Sequence, residues 1–322
     1  MTKIFLLLMV AACYNPAGDP NCVAWYRFES GSLTTDSSDN SNTLTNSGVD
    51  ANSVAGNFKE GASSGLFDGT DMMSIVTGSL SADFPMQDSP YNQSFTVAYW
   101  VKWSALPTAG EVVKAVMSQI AGEKLSTGDV ATTYTQKLWW SGAQNTPTIY
   151  TSSDLGYFWN YDTWGADNLI GPFLQSSGTN QVTQTLVTDR WYHVGISVDF
   201  SGPDPTVGET TKGTVLTTVY DSNDQTVYTD TTFSKTYYDP AVTDIRYKSV
   251  PFENTYYLGV APAVGDFNYN EQFSSPLPTF DNFFTGFIDD VVWFSRPLSQ
   301  AEILLLVNQD FDPGGQIIHI GM

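Results

Sequence analysis

Short runs of alternating apolar and polar residues recur along the chain from about residue 22 onward. The clearest span residues 94–103 (SFTVAYWVKW), 191–200 (WYHVGISVDF) and 286–295 (GFIDDVVWFS), with shorter ones at 23–28 and 255–260. A period of two, together with many β-branched and aromatic residues, predicts half-buried β-strands.

Turn and helix signals separate these strands. Residues 213–220 and 225–228 flank a polar turn at 221–224 (DSND), which favours a hairpin. Ser299 and Glu302 have capping-box spacing just before an apolar run, and this predicts one short helix. Many short strands and one C-terminal helix predict an all-β fold, a two-sheet antiparallel jelly-roll sandwich in one domain.

Composition and charge narrow the possible partners. Aromatic residues make up 14% of the 322 residues, which is ample for a large core. The net charge of −21, from 34 acidic and 13 basic residues, disfavours nucleic acid as a partner. Such a surface suits divalent cations, and it equally suits a protein that only needs to stay soluble.

The first residues indicate export. Lys3 precedes an apolar run at 4–10, which is followed by two alanines and Cys13. Residues 10–13 (VAAC) resemble the bacterial lipobox, so we expect a signal peptide at 1–12, lipidation of Cys13 and a tether at 13–21. The apolar run is too short to span a bilayer, so the membrane would be reached only through the lipid.

This pattern predicts an exported protein, anchored in the outer membrane or extracellular, at the cell surface. A second reading remains open for Cys13. In an oxidising compartment without lipidation it would form a disulfide with Cys22.

Seven short motifs occur in a fixed order between about residues 22 and 308. They are 26–29 (YRFE), 36–42 (DSSDNSN), 61–71 (GASSGLFDGTD), 95–101 (FTVAYWV), 191–194 (WYHV), 257–259 (YLG), and 286–291 (GFIDDV) with 296–299 (RPLS). Together they resemble the laminin-G-like (concanavalin-A-like) jelly roll of bacterial surface proteins. The resemblance implies such a domain over 22–312, with insertions at about 104–188 and 201–254 and a strand-like tail at 313–322.

The candidate metal site lies near the first and last strands. Ca²⁺ takes six to eight oxygen ligands from carboxylates, amides and carbonyls. If those strands are neighbours, Glu29, Asp36 and Asp289 converge, with Asn40 or Asn42 completing the shell. Related carbohydrate-binding jelly rolls carry a similar Phe-Glu and Ile-Asp-Asp pair at their calcium, so the resemblance implies a structural Ca²⁺.

Adjacent residues of a strand face opposite ways, so we expect only one of Asp289 and Asp290 to serve as a ligand, and we choose Asp289. The alternative to a metal site is that all these acids cap turns and face solvent.

A second candidate is an aromatic cluster in the first insertion. Its proposed ligand-binding members are Trp139, Trp140, Trp159, Tyr161 and Trp164, interleaved with Asn and Asp. Aromatic rings beside polar side chains suit the apolar faces and polar rims of sugars. The alternative is that these rings fill a core or bury a protein contact.

Catalytic signals are weak. Residues 61–65 (GASSG) fit G-x-S-x-G only as a string, because no strand-turn-helix context surrounds them. His193 and His319 provide no zinc spacing. We therefore expect a non-enzyme, and keep a polysaccharide hydrolase as a third alternative because carboxylate pairs are plentiful.

The predicted function is binding or adhesion at the cell surface by a calcium-stabilised jelly roll that recognises glycans or another surface protein. The rival prediction is a structural subunit of an extracellular filament or coat. It rests on residues 316–320, which would add as a strand to the sheet edge of a neighbouring copy, or else close their own sheet.

Overall fold

The computed structural model describes residues 15–85, 94–107, 113–126, 132–144, 154–163, 180–199, 211–235, 255–260 and 283–307. Several predicted features lie outside these residues: Cys13 and the signal peptide, Trp164, His319 and the tail at 313–322. The described strands form two antiparallel sheets, A and B, in a sandwich. The predicted two-sheet antiparallel sandwich is therefore confirmed.

Sheet A has the strand order β13-β12-β11-β6-β15-β4-β3, and β1 also pairs with β15. Its strands are β1 Cys22–Tyr26, β3 Asp50–Asn52, β4 Ser64–Asp68, β6 Phe95–Trp103, β11 Trp191–Asp199, β12 Thr211–Asp221, β13 Thr226–Lys235 and β15 Thr285–Phe294. The pairing of β1 with β15 confirms that the first and last strands are neighbours.

Sheet B has the order β10-β9-β8-β7-β14-β5-β2. Its strands are β2 Thr45–Ser47, β5 Met72–Val76, β7 Val113–Ser126, β8 Thr132–Gln144, β9 Asp154–Thr163, β10 Asn180–Thr185 and β14 Thr255–Leu258. Strands β7 to β10 fall within the predicted insertion 104–188, and β12 and β13 fall within 201–254. The two stretches therefore contribute strands to the sheets.

The core lies between the sheets and is rich in aromatic rings. Trp293 of sheet A donates its indole N–H to the Tyr256 hydroxyl of sheet B at 3.2 Å, and the two rings meet edge to face with centroids 5.4 Å apart. Phe84 packs against both rings. This contact satisfies the buried polar atoms of Trp293 and Tyr256 while it joins the two sheets.

The predicted helix is confirmed as α1, Gln300–Leu306, with the full capping box between Ser299 and Glu302. It lies on the outer face of sheet A, where Ile303 and Leu306 join a buried cluster with Trp25 and Val292. No helix in the described part of the chain is long and apolar enough to cross a membrane.

A loop covers another part of the same outer face. It comprises residues 53–62 of the β3–β4 connection, and we call it the strap. The strap amides, carbonyls and side chains bond to β6, β11 and β15. Helix α1 and the strap thus both lie on the side of sheet A that faces away from the core.

The contact between α1 and sheet A depends on Gly195 of β11. A Cβ at this position would lie 2.4 Å from Cγ2 of the buried Ile303. We expect Gly195→Ala to reduce the free energy of unfolding by about 1–3 kcal/mol, because the helix must shift outward. Gly18→Ala is the control, since no atom lies within 4 Å of its added Cβ. Equal denaturation midpoints for the two variants would contradict this packing.

Candidate functional site

Strand β15 changes neighbours halfway along one of its edges. Residues Thr285–Ile288 pair with β4, whereas the segment from Val291 to Phe294 pairs with β1. Asp289 and Asp290 lie at the junction. Two carboxyl groups therefore occupy the gap between the end of β1 and the start of β4.

A β-bulge turns both carboxyl groups to the same side. The register between β15 and β6 shifts between Asp289 and Val292, and Asp290 has a φ of +45°. Ile288 and Val291 both belong to the core between the sheets, so the two residues between them face away from it. The expectation that Asp289 and Asp290 face opposite ways was wrong, because the bulge inserts an extra residue and breaks the alternation.

Asp289 anchors the strap. Its side chain is fully buried, and Oδ2 accepts hydrogen bonds from the backbone N–H groups of Lys59 at 2.7 Å and Glu60 at 3.0 Å. Oδ1 accepts the N–H of Asp290 at 3.1 Å. Three N–H donors favour the ionised form of this carboxyl group.

The two carboxyl oxygens of Asp290 differ in their hydrogen bonding. Its Oδ1 accepts the indole N–H of Trp25 at 2.7 Å. Its Oδ2 is buried and has no hydrogen-bond partner among the described residues. A buried carboxyl oxygen without a partner is unusual, because leaving it unsatisfied is unfavourable by about 1–3 kcal/mol.

Electrostatics make this pair resist double ionisation. Burial raises the pKa of Asp290 to about 7, with Glu29 adding to the rise and Trp25 and Arg27 opposing it. Burial and the neighbouring Asp290 also raise the pKa of Asp289 well above its ordinary value. Because Asp289 receives three N–H donors, we assign the proton that the pair retains to Asp290.

Glu29 completes this group of acids. Its carboxylate accepts the N–H of Ala62 at 3.1–3.2 Å and lies 3.6 Å from the guanidinium of Arg27. It raises the pKa of both Asp289 and Asp290 through its charge. We call Glu29, Asp289 and Asp290 the acid cluster.

The other three predicted calcium ligands lie in a separate hydrogen-bond network. Asp36 accepts bonds from the N–H groups of Trp25, Ser38 and Asn42, each at 2.8 Å, and from the Ser38 hydroxyl at 2.9 Å. Asn40 donates to the Cys22 carbonyl at 3.1 Å.

The Asn42 amide NH₂ donates to Val23 O at 2.6 Å, and its side-chain oxygen accepts the N–H of Ser81. The loop that contains Asp36, Asn40 and Asn42 is thus hydrogen-bonded to β1 through these three side chains.

The five predicted ligands are therefore not assembled into one site. Glu29 and Asp289 come together, whereas Asp36, Asn40 and Asn42 stabilise a turn. In the part of the chain that the structure describes, no three Asp, Glu, His or Cys side chains converge closely enough to hold a metal ion. The calcium ion itself stays a prediction.

Lys59 and His193 lie on the same face of sheet A. The Lys59 ammonium lies 4.6 Å from the centre of the Trp100 ring, and that ring meets His193 edge-on at 5.0 Å. Burial, followed by the charge of Lys59, lowers the pKa of His193 to about 3. His193 is therefore a neutral, packed strand residue.

The other residues with catalytic or redox potential are also packed. Ser63, the serine of the G-x-S-x-G string, is buried and donates its hydroxyl to the Phe28 carbonyl at 2.9 Å. Cys22 is a buried free thiol, and burial raises its pKa to about 12. These contacts assign structural roles to both side chains.

The pairing of β8 with β9 brings the backbone positions of the aromatic candidates close together. Trp139 pairs with Trp159, Trp140 with Phe158, and Lys137 with Tyr161. Four of the five predicted residues therefore lie on two adjacent strands within four consecutive register positions.

Sequence reasoning missed Asp290 and the strap. A signal for Asp290 was present: the apolar residues Ile288, Val291 and Trp293 are spaced three and then two apart, which marks a bulge in a strand. The strap had no comparable signal in the sequence, because its backbone N–H groups donate to side chains that are distant along the chain.

The acid cluster predicts a specific pH dependence. A carboxyl whose pKa rises from 3.8 to about 7 on folding binds its proton more tightly in the folded state. Stability therefore falls as pH rises from about 4 to about 7, by at most about 4 kcal/mol, and then levels off. Asn at position 290 mimics the protonated acid. In chelator-treated protein, Asp290→Asn should therefore reduce this loss of stability with rising pH.

Denaturant titrations across this range measure the effect. Asp39→Asn, which removes an acid at an exposed position, is the control. A wild-type slope retained in Asp290→Asn would mean that Asp290 does not hold the proton.

Comparisons with known proteins show similarity in fold only. No protein-family model and no curated protein matches the chain. The binding domain of botulinum neurotoxin DC, solved in complex with rat synaptotagmin II, is 10% identical with a TM-score of 0.39, covering 89% of this chain and 51% of that one. The botulinum neurotoxin type G receptor-binding domain is 14% identical with a TM-score of 0.36, covering 88% and 50%.

A heptameric SAP-like pentraxin from Limulus polyphemus is 11% identical with a TM-score of 0.30, covering 74% of this chain and 78% of that one. The chain spans about half the length of the two toxin domains it matches. Similarity at this level does not carry the function of those proteins to this chain.

Proposed function

We propose that this protein is a non-enzymatic binding module: a β-sandwich stabilised by Ca²⁺ at the acid cluster, which recognises a glycan or another surface protein. The observation that carries the calcium part is the buried, unpartnered Oδ2 of Asp290 beside a second buried carboxylate. A hard cation satisfies such an oxygen and removes the repulsion between neighbouring carboxylates.

The residues that would hold the ion are Asp289, Asp290 and Glu29. All three are carboxylates at the junction of β1, β4 and β15, so a bound cation would neutralise charge where three strands meet. Its contribution is structural: it holds the end of β1 and the start of β4 against the bulge of β15. The acidic protein as a whole, at −21, also favours cations near its surface.

Export to the cell surface is part of the proposal. It rests on the apolar run at 4–10 and the lipobox-like sequence ending at Cys13. The calcium concentration outside a cell suits a structural site of modest affinity.

The calcium site is tested by thermal and chemical unfolding with Ca²⁺ or with EGTA. At a Ca²⁺ concentration 100 times the dissociation constant, we expect stabilisation of about 2.7 kcal/mol. Asp290→Asn should abolish this gain, because an amide cannot lose a proton and supply a carboxylate ligand to the ion. Asp39→Asn removes the same charge at an exposed site and should retain it. A wild-type protein equally stable in both solutions would overturn the calcium site.

The aromatic positions on β8 and β9 support the ligand part of the proposal. Trp139 and Trp159 are register partners, and Tyr161 lies two residues further along β9. Residues two apart on a strand share a face, so this placement forms a short row of aromatic positions. Aromatic side chains commonly bind sugar rings and protein side chains, so we propose these positions as ligand contacts.

Ligand binding is tested with a glycan array and with surface proteins from the native source. We expect Trp159→Ala to weaken binding by about tenfold or more, the effect of losing an aromatic anchor. Phe158→Ala is the matched control, because it removes a neighbouring ring at the alternate strand position. Equal losses from both variants would indicate damage to the fold instead of a binding surface.

The structural-subunit alternative has one observation in its favour. Strand β13 is ten residues long, ends the order of sheet A, and has β12 as its only strand partner in the described structure. Such an edge is able to accept a strand from a neighbouring copy. Electron microscopy of the native protein distinguishes the two functions: ordered polymers favour the subunit, and monomers favour the binding module.

A further inference from the structure

The strap has two sets of attachments that differ in chemistry. In its first half, the Gly56 carbonyl accepts the Lys102 ammonium at 3.1 Å and the Trp191 indole N–H at 3.0 Å. The Asn57 side-chain oxygen accepts the same ammonium at 2.9 Å. These bonds join the strap to β6 and β11 and involve no member of the acid cluster.

The second half of the strap bonds to the acid cluster. The N–H groups of Lys59 and Glu60 donate to Asp289, and the N–H of Ala62 donates to Glu29. Backbone N–H groups carry partial positive charge, so they stabilise carboxylates in the absence of a cation. The strap amides therefore provide partial positive charge to Asp289 and Glu29 in the structure.

Those bonds use the lone pairs that a cation would need. Oδ2 of Asp289 already accepts two N–H donors, and both oxygens of Glu29 lie within 3.2 Å of the Ala62 nitrogen. A carboxylate has about four lone-pair sites in all. Coordination of a cation by Asp289 or Glu29 would therefore compete with these strap bonds for the same oxygens.

We propose that the second half of the strap, residues 59–62, is displaced when the acid cluster binds Ca²⁺, so that the strap is a calcium-controlled cover on sheet A. This rests on the calcium site proposed above. Asp289 and Glu29 release the strap amides when they turn to the cation, whereas the first half stays attached to Lys102 and Trp191.

Two glycines flank the part of the strap that bonds to Asp289. Gly56 and Gly61 have φ values of +86° and +61°, which favour glycine. At Gly61 a Cβ would overlap Oε1 of Glu29, so the strap can approach this carboxylate closely only without a side chain. The two glycines lie on either side of Lys59 and Glu60.

Displacement of residues 59–62 would change the surface of sheet A. Lys59 contacts the Trp100 ring through its ammonium, so movement of its backbone separates this pair as well. Trp100 lies in a cluster with Trp191 and Phe287. The calcium-bound form would thus present more of this aromatic surface.

The test is hydrogen–deuterium exchange of the full-length protein in Ca²⁺ and in EGTA, with calorimetric titration of CaCl₂ on the same samples. We expect the amides of Lys59, Glu60 and Ala62 to exchange about tenfold faster or more with Ca²⁺. The Asn42 amide, which donates to the buried Asp36, is the internal control and should not change. Asp290→Asn keeps the strap bonds and should show neither heat of binding nor faster exchange.

The outcomes separate the two proposals. Calcium binding with unchanged strap exchange would overturn the cover and leave the calcium site standing. No heat of binding would overturn the calcium site, and the cover with it. Faster strap exchange that is equally large in Asp290→Asn would also overturn the cover, because the effect would not arise at the acid cluster.

Discussion

Strand β15 is the element on which the rest of this sandwich depends. It pairs with β6 along one edge and with both β4 and β1 along the other. Its inward residues Ile288, Val291 and Trp293 lie in the core, and Trp293 bonds across it to sheet B. One strand that serves three partners needs a point where the pairing changes, and the bulge at Asp289 and Asp290 provides it.

The bulge has an electrostatic consequence. It buries two adjacent carboxyl groups on the same side of a sheet, where burial and mutual repulsion oppose their ionisation. Asp289 is stabilised by strap amides, but one oxygen of Asp290 is not stabilised by any partner in the described structure. The buried oxygen of Asp290 without a partner in the described residues is the observation on which the proposed calcium site rests.

Much of the fold followed from local pattern. The alternation of apolar and polar residues predicted both ends of β6, β11 and β15 to within one residue. The spacing of Ser299 and Glu302 predicted the position of α1. The calcium ligands were less predictable. Asp36 and Asn42 have the composition of a metal-binding loop, yet their oxygens and amides bond to β1 and to each other. Side chains that suit a cation also suit a turn, and sequence alone does not distinguish the two uses.

The amino-acid sequence by itself indicated the all-β class, the long strands β6, β11 and β15 and the C-terminal helix, because alternation and capping are local properties. Only the tertiary structure decided which acids share a site. Glu29 meets Asp289 and Asp290 because β1 pairs with β15, and the strap reaches them from a third strand pair. The strap contact with Asp289 joins residues 230 positions apart, and such a distance in sequence leaves no local signal of closeness in space.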